Sequence, residues 1–243
     1  MVLKAIRDDT ILVSIMAINN EVGSINNIEE IGKSLKNYSK VFFHSDITQA
    51  VGKIHLSLGN VDLASLSLHK IHGFKGSGIL LKKSNINLEP LLSGGGQEFN
   101  FRSGTSNVPI YVSAAKTLRL ALENIDKNYE HVDKLRNRLK EGLLNVKGVQ
   151  INSPINASPY ILNFSLTKKA SVVVEALSKK KIYVSTKSAC SSRLSSLSYV
   201  LEAMGLDEYK ASNAIRVSFS DNSTLDEVDI FLQELKNILD TIR

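Results

Sequence analysis

Three side chains of this sequence, a lysine, an aspartate and the only cysteine, could together carry out one reaction. Lys70 lies in a glycine-rich turn, Asp46 follows an apolar run, and Cys190 lies among serines. A lysine amine can form a Schiff base with an aldehyde cofactor. A carboxylate can keep a pyridinium nitrogen protonated, which makes pyridoxal phosphate (PLP) an electron sink. These residue types therefore predict PLP chemistry in which a lone thiol acts as the nucleophile.

The first half of the chain must position Asp46 and Lys70. Its apolar runs predict four short strands, with a helical repeat between the first two. The predicted strands are 11–18, 40–44, 61–67 and 78–81, and the helical repeat is 28–35. This alternation indicates a parallel or mixed sheet covered by helices, and ligands of such sheets bind at the carboxyl ends of strands. Asp46 and Lys70 both fall just past a strand end, as a cofactor site requires.

A domain boundary is predicted near Pro109, where glycine and proline punctuate the sequence. Residues 1–108 then form one domain and residues 109–243 a second. Apolar residues at three- and four-residue steps predict a long helix between Ala115 and Leu143. We expect that helix to bridge the two lobes.

The last hundred residues predict a smaller set of alternating strands and helices. The predicted strands are 160–166, 182–184 and 215–219, and the predicted helices are 171–177 and 197–204. Thr224 and Glu227 have the spacing of a capping box, which predicts a terminal helix that runs through Ile242.

The composition fits a globular protein of one or two domains, with 243 residues, 43% hydrophobic and 22% charged. No run approaches the roughly 18 apolar residues of a membrane span, and the first residues are too charged for a secretory leader. One cysteine excludes an internal disulfide and predicts a reducing, cytoplasmic compartment. One cysteine and scattered histidines predict no metal site.

The formal net charge of +6 has several interpretations. The lysines pair without interleaved aromatic residues and tryptophan is absent, a pattern that disfavours direct nucleic-acid binding. A solvated lysine-rich surface is the ordinary interpretation. A phosphorylated cofactor or an acidic partner protein would also suit a basic chain.

Six segments occur in the order found in one enzyme family, and they extend over essentially the whole chain. They are 19–23 (NNEVG), 46–53 (DITQAVGK), 67–70 (SLHK), 94–98 with 102–105 (GGGQE and RSGT), 188–190 (SAC) and 214–216 (AIR). On these residues the chain resembles the cysteine desulfurases, the NifS-like PLP enzymes of the class V aminotransferase family. The resemblance implies an α/β fold of the PLP-dependent transferase type, with a partial large domain and a C-terminal small α+β domain that carries the cysteine.

The resemblance and the residue chemistry together predict a role for each candidate residue. Lys70 is expected to carry PLP and to move the substrate α-proton, and Cys190 to attack the substrate sulfur. Around the cofactor, Asp46 binds the ring nitrogen, Gln49 binds the phenolic oxygen, and Ser67 and His69 bind the phosphate, which Thr105 of the second subunit of a homodimer also contacts. Arg216 binds the substrate carboxylate, and Asn20 contacts that carboxylate and the cofactor. Taken singly, seven of these nine residues have an ordinary alternative: a surface lysine, a helix-capping aspartate, a solvated glutamine, a structural histidine, turn chemistry at the threonine, a salt-bridged arginine or a passive thiol.

The implied reaction converts L-cysteine to L-alanine and leaves a persulfide on Cys190. The sulfur then passes to an iron–sulfur scaffold or a tRNA-thiolation acceptor. Selenocysteine lysis or β-elimination would use the same fold.

Three departures from the family pattern bear on activity. The family has about a third more protein in front of Met1, which carries the histidine that stacks on the cofactor ring and a phosphate-binding turn. Leu68 replaces a glycine, and Lys187 stands where a small residue is common. A second hypothesis is therefore a truncated non-catalytic fragment, a pseudoenzyme or one half of a split desulfurase.

Overall fold

The computed structural model describes residues 1–186 and 197–242, which divide into two compact units. The first unit comprises Met1–Ala17 and Asn26–Ile125, and the second comprises Ile18–Ile25 and Asp126–Arg243. The boundary predicted after residue 108 falls inside the first of these units. Each unit has its own sheet.

The first unit is built on a four-stranded mixed sheet. Its strands are β1 (Leu12–Ser14), β2 (Phe42–Asp46), β3 (Leu63–Ser67) and β4 (Gly78–Lys82), and helix α1 (Ile28–Leu35) lies between β1 and β2 in the chain. The strands lie in chain order, with β1, β2 and β3 parallel and β4 antiparallel to β3. The mixed sheet is the one that the apolar runs predict. β1 is shorter than its predicted run.

Only one face of this sheet is well covered within the described residues. Because side chains alternate along a strand, Phe43 and Ala64 point to one face, where they are 1% and 2% exposed. On the opposite face, Leu12, Phe42 and Leu80 keep 50%, 48% and 55% of their surface exposed. Three large apolar side chains of this face are thus open to solvent.

The long helix predicted from the apolar repeat is two helices, α2 (Val108–Glu123) and α3 (Ile125–Leu144). Asn124 separates them with a non-helical backbone (φ −116°, ψ 13°). Its side-chain Nδ2 donates to the Leu120 carbonyl oxygen at 2.9 Å. An asparagine that bonds nearby backbone in this way favours a helix end over a helix interior.

The second unit packs helices on a three-stranded antiparallel sheet. Its further elements are β5 (Val149–Ile151), β6 (Ile161–Leu166), α4 (Ala170–Lys179), α5 (Tyr199–Ala203), α6 (Glu208–Ser212), β7 (Ala214–Ser218) and α7 (Leu225–Thr241). β6 pairs with both β5 and β7. The core joins Leu139 of α3, Phe164 of β6, Leu177 of α4 and Leu235 of α7, each at most 1% exposed.

Local capping signals in this unit have mixed outcomes. The predicted capping box of α7 is confirmed: the Thr224 hydroxyl accepts from the Glu227 amide at 3.2 Å, and the Glu227 carboxylate accepts from the Thr224 amide at 2.9 Å. The strand predicted at 182–184 is absent from the described sheet. Instead, Lys181 is left-handed (φ 61°) and the Ile182 amide donates to Leu177 at 3.0 Å, which ends α4.

Residues 18–25 belong to the second unit although they precede most of the first. The Ser158 amide donates to the Gly23 carbonyl at 2.8 Å, and Asn163 Nδ2 donates to the Glu21 carbonyl at 3.1 Å. Local sequence does not predict these long-range bonds. Across the described residues, no helix is both long and apolar enough to span a membrane, and no group of three acidic, histidine or cysteine residues could hold a metal ion.

Candidate active site

Hydrogen bonds link the carboxyl ends of the parallel strands β2 and β3. Asp46 ends β2, and its Oδ1 accepts from the Thr48 amide at 2.9 Å. The Thr48 hydroxyl in turn accepts from the amide of Ser67, the last residue of β3, at 3.1 Å. The turn after β2 is therefore tied to the start of the segment that carries Lys70.

A short 3-10 turn, Leu68–Ile71, presents His69 and Lys70 to solvent. Leu68 and Ile71 point inward and are 2% and 6% exposed. His72 ends the turn in a left-handed conformation (φ 68°). Buried side chains at both ends thus hold the two polar side chains outward, where Lys70 can meet a ligand.

Leu68, the departure from the family's glycine, is a core residue of this turn. Its Cβ and carbonyl lie where a Cβ added at Gly73 would approach to 2.8 and 2.9 Å. The turn therefore requires glycine at 73, because a side chain there would overlap the Cβ and the backbone carbonyl of residue 68. Leu68 packs beneath the turn and Lys70 is exposed.

Replacing Leu68 by alanine is expected to lower the free energy of unfolding by about 2–4 kcal/mol, because it leaves a cavity beneath the turn. Leu91→Ala is the matched control, since Leu91 is 96% exposed and its truncation should cost less than about 0.5 kcal/mol. Urea denaturation measures both variants. Equal losses would contradict the anchoring role of Leu68.

Gln49 and Lys53 form a second pair in the turn after β2. Lys53 Nζ donates to Gln49 Oε1 at 3.0 Å. Burial lowers the pKa of Lys53 to about 8, and the positive charge of Lys70 adds to this effect. The sequence assigns Lys53 no role, and its four-residue spacing from Gln49 does not by itself predict the contact, because the turn is not helical.

Arg216 and Asn20 come together within the second unit. Arg216 lies on β7, and its Nη1 donates to the Asn20 carbonyl at 2.9 Å. Its Nε is buried without a partner among the described residues. Burial lowers the pKa of Arg216, while the carboxylate of Glu21 opposes that shift. A half-satisfied, partly buried guanidinium has donors left for an anion such as a carboxylate.

The two remaining candidate residues are Thr105 and Cys190. Thr105 is exposed and follows Gly104, which has a φ of 124° and donates its amide to Gln97 Oε1 at 3.1 Å. No hydrogen bond within the described ranges joins Thr105 to Asp46 or Lys70. Cys190 lies outside the described residues, as does Lys187. The first unit thus brings together Asp46, Gln49, Ser67, His69 and Lys70, while Asn20 and Arg216 belong to the second.

The residues at the ends of β2 and β3 fit PLP by their chemistry. A carboxylate suits the ring nitrogen, an exposed amine the aldehyde, and a hydroxyl with an imidazole the phosphate. Within the second unit, the buried Arg216 Nε has no partner among the described residues. Residues 1–231 match the model of the aminotransferase class V family. The chain belongs to the class V aminotransferase family.

Among class V aminotransferases, the chain is similar to cysteine desulfurases. It is 41% identical to a cysteine desulfurase IscS of Vibrio vulnificus over 98% of this chain and 60% of that protein. It is 40% identical to a mitochondrial cysteine desulfurase of Saccharomyces cerevisiae over 98% of this chain and 49% of that protein. The chain therefore spans about half to three fifths of the length of these relatives.

Solved structures confirm the predicted fold class. A NifS-like protein superposes with a TM-score of 0.89 at 40% identity, over 98% of this chain and 64% of its own. A NifS-like protein of Rickettsia africae gives a TM-score of 0.88 at 32% identity, over 99% and 65%. Enzymes of this family depend on PLP, so the resemblance and the cofactor class that it implied are both confirmed at the level of the family.

Proposed function

We propose that this chain carries catalytic residues of a PLP-dependent cysteine desulfurase that converts L-cysteine to L-alanine. The supporting observation is the pairing at the carboxyl ends of β2 and β3, where Asp46 and the Lys70 turn are tied together through Thr48. The similarity to cysteine desulfurases over nearly the whole chain supports the same reaction. PLP, when bound, supplies an electron-withdrawing ring that acidifies the α-C–H bond of the substrate.

The chain's own residues divide the steps of this reaction. The Asp46 carboxylate holds the proton on the ring nitrogen, and Lys70 Nζ takes the proton from the substrate α-carbon and returns one later. The Arg216 guanidinium, next to Asn20, binds the substrate carboxylate. Ser67, His69 and Thr105 donate to the phosphate, and Gln49 donates to the phenolic oxygen.

Cys190 performs the sulfur transfer. Its thiolate attacks the substrate sulfur, so that an S–S bond forms while the substrate C–S bond breaks. The electron pair of the broken bond stays on the substrate carbon, which takes up a proton and leaves as alanine. The product on the protein is a persulfide, so sulfur and electrons balance without an external oxidant.

The persulfide requires an acceptor, and we infer an iron–sulfur scaffold or a tRNA-thiolation protein in a reducing, cytoplasmic compartment. We also infer a homodimer in which Thr105 reaches the phosphate of the second subunit. The exposure of Thr105 supports contact with a second subunit. The single cysteine supports a reducing compartment.

A second candidate function is that of a non-catalytic piece or one half of a split enzyme. The open sheet face at Leu12, Phe42 and Leu80 favours it, since apolar sheet surface normally packs against another element. In this case a separate polypeptide, equivalent to the front third of the family, would cover the face and complete the phosphate site.

Two additions to the purified chain decide between these functions. PLP should produce a visible absorbance band, and L-cysteine should then give alanine and one extra sulfur on the protein. A band and product only after co-expression with a front-third polypeptide would establish the split enzyme. No band and no product under either condition would leave a non-catalytic piece.

A further inference from the structure

The turn that follows β2 brings Gln49 and Lys53, which are four residues apart, into contact. The Val51 amide donates to Ile47 at 3.0 Å and the Ile54 amide donates to Ala50 at 3.1 Å, while Gly52 between them is left-handed with a φ of 69°. These successive turns, which are not a helix, bring the two side chains together. This places the Lys53 ammonium on the Gln49 carboxamide, at 3.0 Å from Nζ to Oε1.

The chemistry of this contact orients the carboxamide. A lysine ammonium has three donors and no acceptor, whereas a carboxamide has an oxygen acceptor at one end and an amino donor at the other. A protonated Lys53 can therefore face only Oε1 of Gln49. The Nε2 amino group is left as the end that can donate to an acceptor elsewhere.

The fold disfavours the charged form of Lys53 and restricts the backbone beside it. Burial and the charge of Lys70 lower the pKa of Lys53 to about 8, which means that the fold disfavours the ammonium that it contains. Gly52 comes just before it with a φ of 69°, and a Cβ there would lie 2.7 Å from that of Ala121 on α2. Close packing against α2 thus leaves the backbone little freedom to move Lys53 away.

We propose that Lys53 is a positioning residue of the cofactor site, which fixes the Gln49 carboxamide so that its amino group donates to the cofactor. The inference rests on the proposed function, because Gln49 is there assigned to the phenolic oxygen of PLP. Lys53 acts through Gln49 and does not itself take part in proton transfer. The charge of Lys70 acts on Lys53, so the contact between Lys53 and Gln49 lies near the amine that carries the cofactor.

The first test needs no cofactor. In the PLP-free chain, the side-chain amide resonances of Gln49 should titrate with a midpoint near pH 8, the pKa of Lys53. Lys53→Met should abolish that titration, and Lys40→Met, at an exposed lysine of the same unit, should preserve it. A Gln49 amide that ignores pH, or that titrates equally in Lys53→Met, would overturn the proposed contact.

The second test measures PLP affinity by absorbance at pH 7. Loss of one charge-assisted contact in Lys53→Met should weaken binding about tenfold or more and shift the absorbance maximum, because the phenolic oxygen loses an oriented donor. Lys53→Arg keeps the donors and should restore most of the affinity. Gln49→Ala should weaken binding as well, and adding Lys53→Met to it should have little further effect, since both variants remove one interaction.

Protein stability separates positioning from a merely structural role. The folded pKa of Lys53 lies below its ordinary value of 10.5, so the unfolded chain binds more protons between about pH 8 and 10.5 and stability should rise with pH in that window. Lys53→Met should remove this rise and leave the chain at least as stable at pH 7.

Weaker PLP binding with unchanged stability supports the proposal, and additive effects of the Gln49 and Lys53 variants contradict it. Failure to bind PLP both by the unsubstituted chain alone and after co-expression with a front-third polypeptide would refute the proposed function, while the Gln49 titration would still report on the contact.

Discussion

Replacing Lys70 by alanine is expected to lower alanine formation from L-cysteine by about a thousandfold or more. In the proposed reaction the amine both carries the cofactor and moves the α-proton, and proton transfer alone is worth about 10²–10⁴-fold. Lys75→Ala is the matched control, because Lys75 is exposed in the same glycine-rich segment. Its turnover should stay close to that of the unsubstituted chain, measured as alanine released over time.

Borohydride reduction of the PLP-loaded chain tests the same assignment directly, since it fixes the cofactor on the lysine that holds it. The rival is Lys53, because burial lowers its pKa to about 8 and so increases the fraction of its amine that is deprotonated at neutral pH. Trypsin does not cleave at a modified lysine. A label on Lys70 should therefore appear in a peptide of residues 54–75, whereas a label on Lys53 should appear in a peptide of residues 41–70. The second peptide would assign the cofactor to Lys53.

Replacing Cys190 by serine should abolish alanine formation and persulfide while PLP binding persists. The thiol is the nucleophile in the proposed reaction and does not hold the cofactor, and serine is a far weaker nucleophile toward sulfur at neutral pH. We expect a loss of about a thousandfold or more. Mass spectrometry after incubation with L-cysteine measures the added sulfur, and absorbance measures bound PLP.

Ser192→Ala is the control for Cys190→Ser, since it alters a hydroxyl in the same serine-rich segment. It should keep both turnover and cofactor. Loss of PLP in Cys190→Ser would indicate a structural thiol, and undiminished alanine formation in that variant would show that sulfur leaves by another route. The Lys70 and Cys190 variants are thus expected to differ in their absorbance although both lose activity.

Much of the fold was predictable because its signals are local. The capping box at Thr224 and Glu227 satisfies helix donors with side chains three residues apart, so the terminal helix could be predicted from spacing alone. The strands ending at Asp46 and Ser67 are short apolar runs, and the structure places them side by side and parallel. The order of six family-like segments predicted the α/β fold and the class V aminotransferase family.

Other features depend on distant parts of the chain. Residues 18–25 join the second unit because their carbonyls accept from Ser158 and Asn163, more than a hundred residues away. Sequence periodicity has no access to such contacts.

For the candidate site too, some features could be predicted from the sequence and others only from the tertiary structure. Residue types and their order by themselves predicted the chemistry, because an amine, a carboxylate and a thiol have few substitutes in PLP-dependent sulfur transfer. Only the tertiary structure decided that Leu68 packs under the Lys70 turn, that Lys53 bonds Gln49, and that the buried Nε of Arg216 has no partner among the described residues. The physical reason is that burial and the charges of neighbouring residues, which set pKa values and side-chain orientation, arise only when distant segments pack together.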